Sequence, residues 1–186
     1  MPLSQPIDRK LIHQRDIKCY GYQRSDGLWD IEGHLVDTKT YEFDNKWRGS
    51  VKPSEPLHEM WLRLTINDEL EVVHAEAKTD HSPYPECPHF PNNLEKLVGV
   101  KIAPGWSKAV QNVLGGVNGC THITEVLGRV ANVAFQTVMP FTHTNESRSI
   151  TDKRPRIINT CHALNSTGDV VKREWPQFHI DTNIGS

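Results

Sequence analysis

The chain has 186 residues, 37% of them hydrophobic and 24% charged, with a net charge of −2 and a pI near 6.5. That is enough chain for one domain with a real core, and a weakly acidic balance argues against the clustered basic surface that nucleic acid requires. No apolar run approaches a membrane span. The start, "MPLSQPIDRKLIHQRDIKCY", has no apolar stretch of the secretory kind. Cys19, Cys87, Cys120 and Cys161 read as thiols of a reducing cytoplasm rather than a disulfide framework. The expected setting is therefore cytoplasmic.

Residues 1–20 are polar and irregular, which predicts an N-terminal arm lying on a single α+β domain over 21–186. In "GLWDIEGHLVDTKTYEF", Trp29, Ile31 and Leu35 share one parity, with Gly33 between them, and Asp30, Glu32 and His34 share the other. This is the pattern of a strand with one buried face. After the breaks of "RGSVKPSEP", "HEMWLRLTI" alternates again with Met60, Leu62, Leu64 and Ile66 inward. A tight turn at "NDE" then predicts a hairpin with "LEVVHAEAKTD". About three strands in an antiparallel meander are expected.

"SPYPECPHFPNN" holds four prolines and predicts irregular chain carrying Tyr84, Cys87 and His89. A short helix is expected in "NNLEKLVGVKI". A second is expected in "PGWSKAVQNVLGG", with Pro near its start and Gly past its end. The longest follows Gly119. "PFTHTNESRSITDKRPR" reads as a polar loop and "IINTCHALNSTGDVVKREW" as a C-terminal hairpin turning at Asn165–Gly168. Helices packed on one face of the meander complete the expected architecture.

In "GCTHITEVLGRVANVAFQ" the residues Ile123, Val126, Leu127, Val130 and Ala134 mark a core stripe. A second stripe is His122, Glu125, Arg129, Asn132 and Gln136. Its mixture of imidazole, carboxylate, guanidinium and amides suits a cavity wall better than an ordinary solvent face. Cys120 falls at the helix start, where free N–H groups and the helix dipole favour a thiolate. The bland alternative makes Asn118 or Thr121 an N-cap, Cys120 a small buried residue and His122 a satisfied first-turn side chain.

Catalytic candidates are Cys120, His122 and Glu125 on the helix, with Asp30, Glu32, His34 and His58 on the strands. Trp29, Trp61, Tyr84, Trp106, Arg129 and Gln136 are candidates for ligand contact, since aromatic walls with a few titratable groups suit a planar ligand. The bland reading of the strand residues is a wet sheet face. Thiolate beside imidazole also suits zinc or iron, which makes Cys87, Cys120, Cys161 and His162 a candidate ligand set, although paired ligand spacing is lacking. An organic cofactor is not expected, because no phosphate-cradling or dinucleotide fingerprint is present.

The combination "GLWDIEGHLVDTK", "EMWLRLTI", "GCTHITE" and "INTCHAL" resembles a bacterial family of domains of unknown function, over roughly Arg24 to Trp175. The resemblance implies an accessory enzyme of catabolic gene clusters, including those for aromatic compounds and acyl-CoA intermediates. The order of elements is also similar to the iron–sulfur scaffold and sulfur-acceptor fold, with Cys87 and Cys120 matching two of its cysteines and Cys161, expected in a strand, departing from it. Three functional expectations result. The first is a lyase or hydrolase acting by acid/base chemistry on a small aromatic-derived or acyl substrate. The second is a zinc or iron–sulfur scaffold. The third is a non-catalytic binding partner or homo-oligomer using its tryptophans.

Overall fold

The computed structural model describes residues 3–89, 93–142, 154–155 and 157–181. The chain divides into two compact units, Met1–Thr142 and His143–Ser186. The first is built on a four-stranded antiparallel sheet in the order β1-β2-β5-β6, from β1 (His13–Gln23), β2 (Trp29–Lys39), β5 (Pro56–Ile66) and β6 (Val72–His81). A separate ribbon, β3 (Phe43–Asn45) with β4 (Gly49–Val51), interrupts the passage from β2 to β5. Two helices follow, α1 (Trp106–Leu114) and α2 (Thr121–Thr142).

The alternation in β2 places Trp29, Ile31 and Leu35 in the core. Met60, Leu62, Leu64 and Ile66 of β5 face the same way. Against them α2 presents Ile123, Val126, Leu127, Val130, Ala134 and Val138, all buried. Each fully buried Leu or Ile contributes roughly 1.5–3 kcal/mol relative to exposure. The helix lies close to the sheet because Gly33 has no side chain. A Cβ there would stand 2.3 Å from a Val126 methyl and 2.9 Å from one of Val130. Trp106 of α1 is buried and donates its indole N–H to the Leu127 carbonyl at 3.3 Å.

Three expectations need correction. The predicted arm overlaps a strand: β1 begins at His13 and pairs with β2 along its whole length, from His13–Lys39 to Gln23–Trp29. It is an edge strand with only Ile17 and Cys19 partly buried against the core, so its polar composition concealed it. The short helix expected near Asn92 is a 3-10 turn, Asn93–Leu97. The C-terminal hairpin is not formed. The second unit instead has 3-10 turns at His162–Leu164 and Pro176–Phe178 and the helix α3, Asp169–Glu174. Its chain reverses locally: Asn159, at φ 69°, donates its N–H to the Leu164 carbonyl at 2.8 Å. The Asn159 side chain accepts from Ser166 N–H at the same distance. These local bonds take the place of a strand ladder. Most of the expected polar loop, residues 143–153 and 156, lies outside the described residues.

Candidate functional site

The strand parity that buries Trp29, Ile31 and Leu35 also buries Asp37, the only buried carboxylate among the described residues, at 2% exposure. Its neighbours follow from register. Arg15 of β1 pairs with Asp37, and Asp37 pairs with His58 of β5, so three strands place three charged or titratable side chains in one row. The row lies where the β2–β5 register shifts, between Asp37 and Thr38. Above it stands the first turn of α2.

Arg15 grips the carboxylate with two parallel bonds, Nε to Oδ1 and Nη2 to Oδ2, each 2.7 Å. This is the bidentate fork, among the strongest of charge-assisted pairs. Its remaining Nη1 donates to Glu125 Oε2 of α2 at 2.6 Å, joining sheet to helix. Three imidazoles surround the same carboxylate. His13 Nε2 lies 3.3 Å from Oδ1, His58 Nδ1 3.0 Å from Oδ2, and His122 Nε2 3.7 Å from Oδ2. The rings of His58 and His122 meet at 3.9 Å. On the far side of His122, its Nδ1 is 3.7 Å from Cys120 Sγ, and that sulfur is 3.8 Å from Met60 Sδ.

Burial pushes the Asp37 pKa upward, but the Arg15 fork and charge, with His58 and His13, outweigh it and hold the carboxyl below its usual range. The bond to Asp37 raises the Arg15 pKa further, against the opposing effect of burial. Burial lowers the pKa of His58, aided by the neighbouring His122 and opposed by Asp37. Burial likewise lowers that of His122, aided by Arg15 and opposed by Asp37 and Glu125. Both shifts favour the neutral ring, which has one N–H and one lone pair.

The predicted residues divide between the two faces of the sheet. Cys120, His122, Glu125 and His58 come together on the helix face. Asp30, Glu32 and His34 have the opposite parity and do not join them. Asp30 accepts from Thr65 Oγ1 at 2.7 Å, and Glu32 pairs with Arg63 Nη2 at 2.7 Å. His34 stacks on Trp61 at 3.6 Å and meets Glu59 Oε1 at 3.0 Å. Trp29 and Trp106 are core residues, their indole N–H groups held by Asp68 and the Leu127 carbonyl. Tyr84 is exposed, edge-on to Trp47 at 5.2 Å.

The polar stripe of α2 also splits. Glu125 and Arg129 line an open groove of about 490 Å³, together with Gln111, Gly115, Thr121 and Gly128, while Asn132 and Gln136 are exposed away from that lining. As for metal ligands, Cys87 and Cys120 belong to the first unit, Cys161 and His162 to the second. Cys161 precedes a 3-10 turn instead of standing in a strand. Among the described residues, one set of three suitable groups has its ligand atoms all within 4.8 Å of one another: Asp37, His58 and His122. It contains no cysteine.

Sequence reasoning missed Asp37, Arg15 and His13. The signal for Asp37 was present, since a carboxylate at the core parity of a strand needs a buried partner.

A family model described as "Protein of unknown function (DUF2889)" matches residues 13–136, from the first residue of β1 to well inside α2. The chain belongs to that family. The match encloses every residue of the Asp37 cluster and ends before the second unit. No curated protein and no solved structure matches the chain. No helix among the described residues is long and apolar enough to cross a membrane.

Proposed function

We propose that the protein is a small enzyme that cleaves an acyl or aromatic-derived acyl intermediate by acid/base chemistry, as a hydrolase or lyase without an organic cofactor. One observation carries the reading: two imidazoles in ring contact share one buried, arginine-clamped carboxylate. With His58 Nδ1–H donated to Asp37, its Nε2 lone pair is the base, and Asp37 stabilises the imidazolium once a proton arrives. In hydrolysis, His58 takes a proton from water as the water oxygen bonds to the acyl carbon, then returns it to the leaving group. His122, between Asp37 and Cys120, is placed to relay a proton to or from the thiol. The first free N–H groups of α2 suit the developing oxyanion. The groove past Glu125 and Arg129 suits the remainder of a small-molecule substrate.

The test is turnover of a panel of p-nitrophenyl and thioester acyl substrates, aliphatic and benzoyl. His58→Gln and His122→Gln each lower kcat/KM by roughly 10²–10⁴, while His34→Gln on the opposite face does not. Equal turnover in the wild type and both variants would overturn the reading.

A further inference from the structure

We propose that Asp37, His58 and His122 bind one divalent transition-metal ion, zinc or iron(II), through Asp37 Oδ2, His58 Nδ1 and His122 Nε2. The spacing supports this directly. Ligands about 2.0–2.1 Å from a tetrahedral zinc stand roughly 3.3 Å from one another. Here the two imidazole nitrogens lie 3.0 and 3.7 Å from the carboxylate oxygen, and the ligand atoms of the set all fall within 4.8 Å. The donors come from two adjacent strands and the first turn of a helix, elements that the core already holds in place.

Charge and chemistry point the same way. The fixed charges are Arg15 (positive), Asp37 and Glu125 (both negative), which leaves one net negative charge beside the two rings. Two imidazoles and one carboxylate, with positions left open, are the donor set of many catalytic zinc and non-haem iron sites. The surroundings supply outer partners of the kind that orient metal ligands. Arg15 Nε and His13 hold Asp37 Oδ1, and the Cys120 sulfur faces the other nitrogen of His122. Arg15 Nη2 donates to one lone pair of Asp37 Oδ2 and leaves the other for the ion. On loading, each ring shifts its single proton from the nitrogen that faces the carboxylate to the remote nitrogen, His58 Nε2 or His122 Nδ1. The facing lone pairs then bind the ion, and no ring proton is released. His122 Nδ1–H points to Cys120 Sγ, 3.7 Å away.

This deepens the reading of the same cluster as a reaction centre and rests on it only for turnover. An ion at this point makes a bound water the proton-handling group in place of the bare imidazole.

The experiment takes the full chain, without a histidine tag, stripped with chelator and dialysed, and titrates it with cobalt(II) as the zinc probe. Visible absorption and calorimetry should report one equivalent with the d–d bands of a four- or five-coordinate ion. His58→Gln and His122→Gln should each weaken binding beyond the roughly 10- to 100-fold that loss of an outer partner costs, with His34→Gln and Cys87→Ala unchanged. Should those variants fail to fold, paramagnetic shifts of the His58 and His122 ring protons in the wild type read the same contact. Absence of stoichiometric uptake overturns the proposal, as does uptake unchanged in both variants or shifts confined to other histidines. Uptake with no acyl turnover leaves the metal site standing and removes the proposed enzymatic activity. Turnover that persists in chelator with no cobalt uptake does the reverse.

Discussion

The two faces of the central sheet carry similar residue types and treat them differently. On the open face, Arg63 pairs across the strands with Glu32 and Glu76 with solvent beside them, Asp30 accepts from the buried Thr65 hydroxyl, and His34 lies flat on Trp61. On the helix face, the Arg15–Asp37–His58 row is roofed by His122 and Glu125. The open pairs are screened and their partners exchange with water, so each contributes little. The roofed group has lost its water and depends on its partners for every bond. A His, an acid and an Arg thus form an ordinary wet surface on one side and a poised centre on the other. Which of the two they form depends on parity and cover.

Removing charge tests that contrast most strongly. Asp37→Asn leaves Arg15 and the imidazoles without their common anion. We expect a loss of about 2–3 kcal/mol in urea unfolding, below the 3–5 of a fully buried pair because Arg15 is partly exposed. A loss below about 0.5 kcal/mol would place the cluster with the surface pairs. Gly33→Ala should cost about 1–3 kcal/mol by overpacking against Val126 and Val130, and should also lift α2 from the sheet. The expected second readout is a loss of the His58–His122 ring contact in NMR.

Acidification gives a third, smaller effect. His58 and His122 have folded pKa values below the ordinary 6.5, so between those values the unfolded chain binds more protons than the folded one. Their contribution to stability is full above pH about 6.5 and is lost as the pH falls through that value toward the folded pKa values. The Tm of metal-free protein should therefore drop as the pH falls below about 6.5, and the drop should shrink in the His58→Gln/His122→Gln double variant. Asp37 adds a further loss at lower pH, below the usual carboxylate range. An equally steep drop in the double variant would assign the effect to other groups. Smallest of all, Glu32→Gln on the open face should cost less than about 1 kcal/mol, and that cost should vanish in high salt.

The strands with strong alternation, β2 and β5, and the long amphipathic helix were legible from residue pattern, because burial of one face imposes a period, and β6 was legible from the tight turn that precedes it. β1 was not, since an edge strand buries little: on its inward face Ile17 and Cys19 are accompanied by Arg15 and Gly21. The C-terminal segment misled for a different reason. The side-chain oxygens of Asn159 and Asn165 accept backbone N–H groups and decide its turns locally. Within the site, the helix contribution was readable as a polar stripe beginning at His122. The carboxylate that organises it was hidden in a strand whose hydrophobic residues drew attention first. Pairing of Arg15 with Asp37 joins positions 22 apart through a register that no local pattern encodes.

The irregularity after Asp37 has a consequence for how this architecture can change. Up to that residue β2 is locked to β5 by strict alternation, and a slip of one position would turn Asp37 outward. Beyond it the pairing moves from Asp37–His58 to Thr38–Pro56, and the strict count is broken. A change of length in the β3–β4 ribbon, on the far side of the bulge, should be taken up at this irregularity before it reaches the row. The bulge is a firebreak for Arg15, Asp37 and His58, while the ribbon itself is anchored by buried Val51 and by the Arg48 bonds to the Pro56 and Leu57 carbonyls.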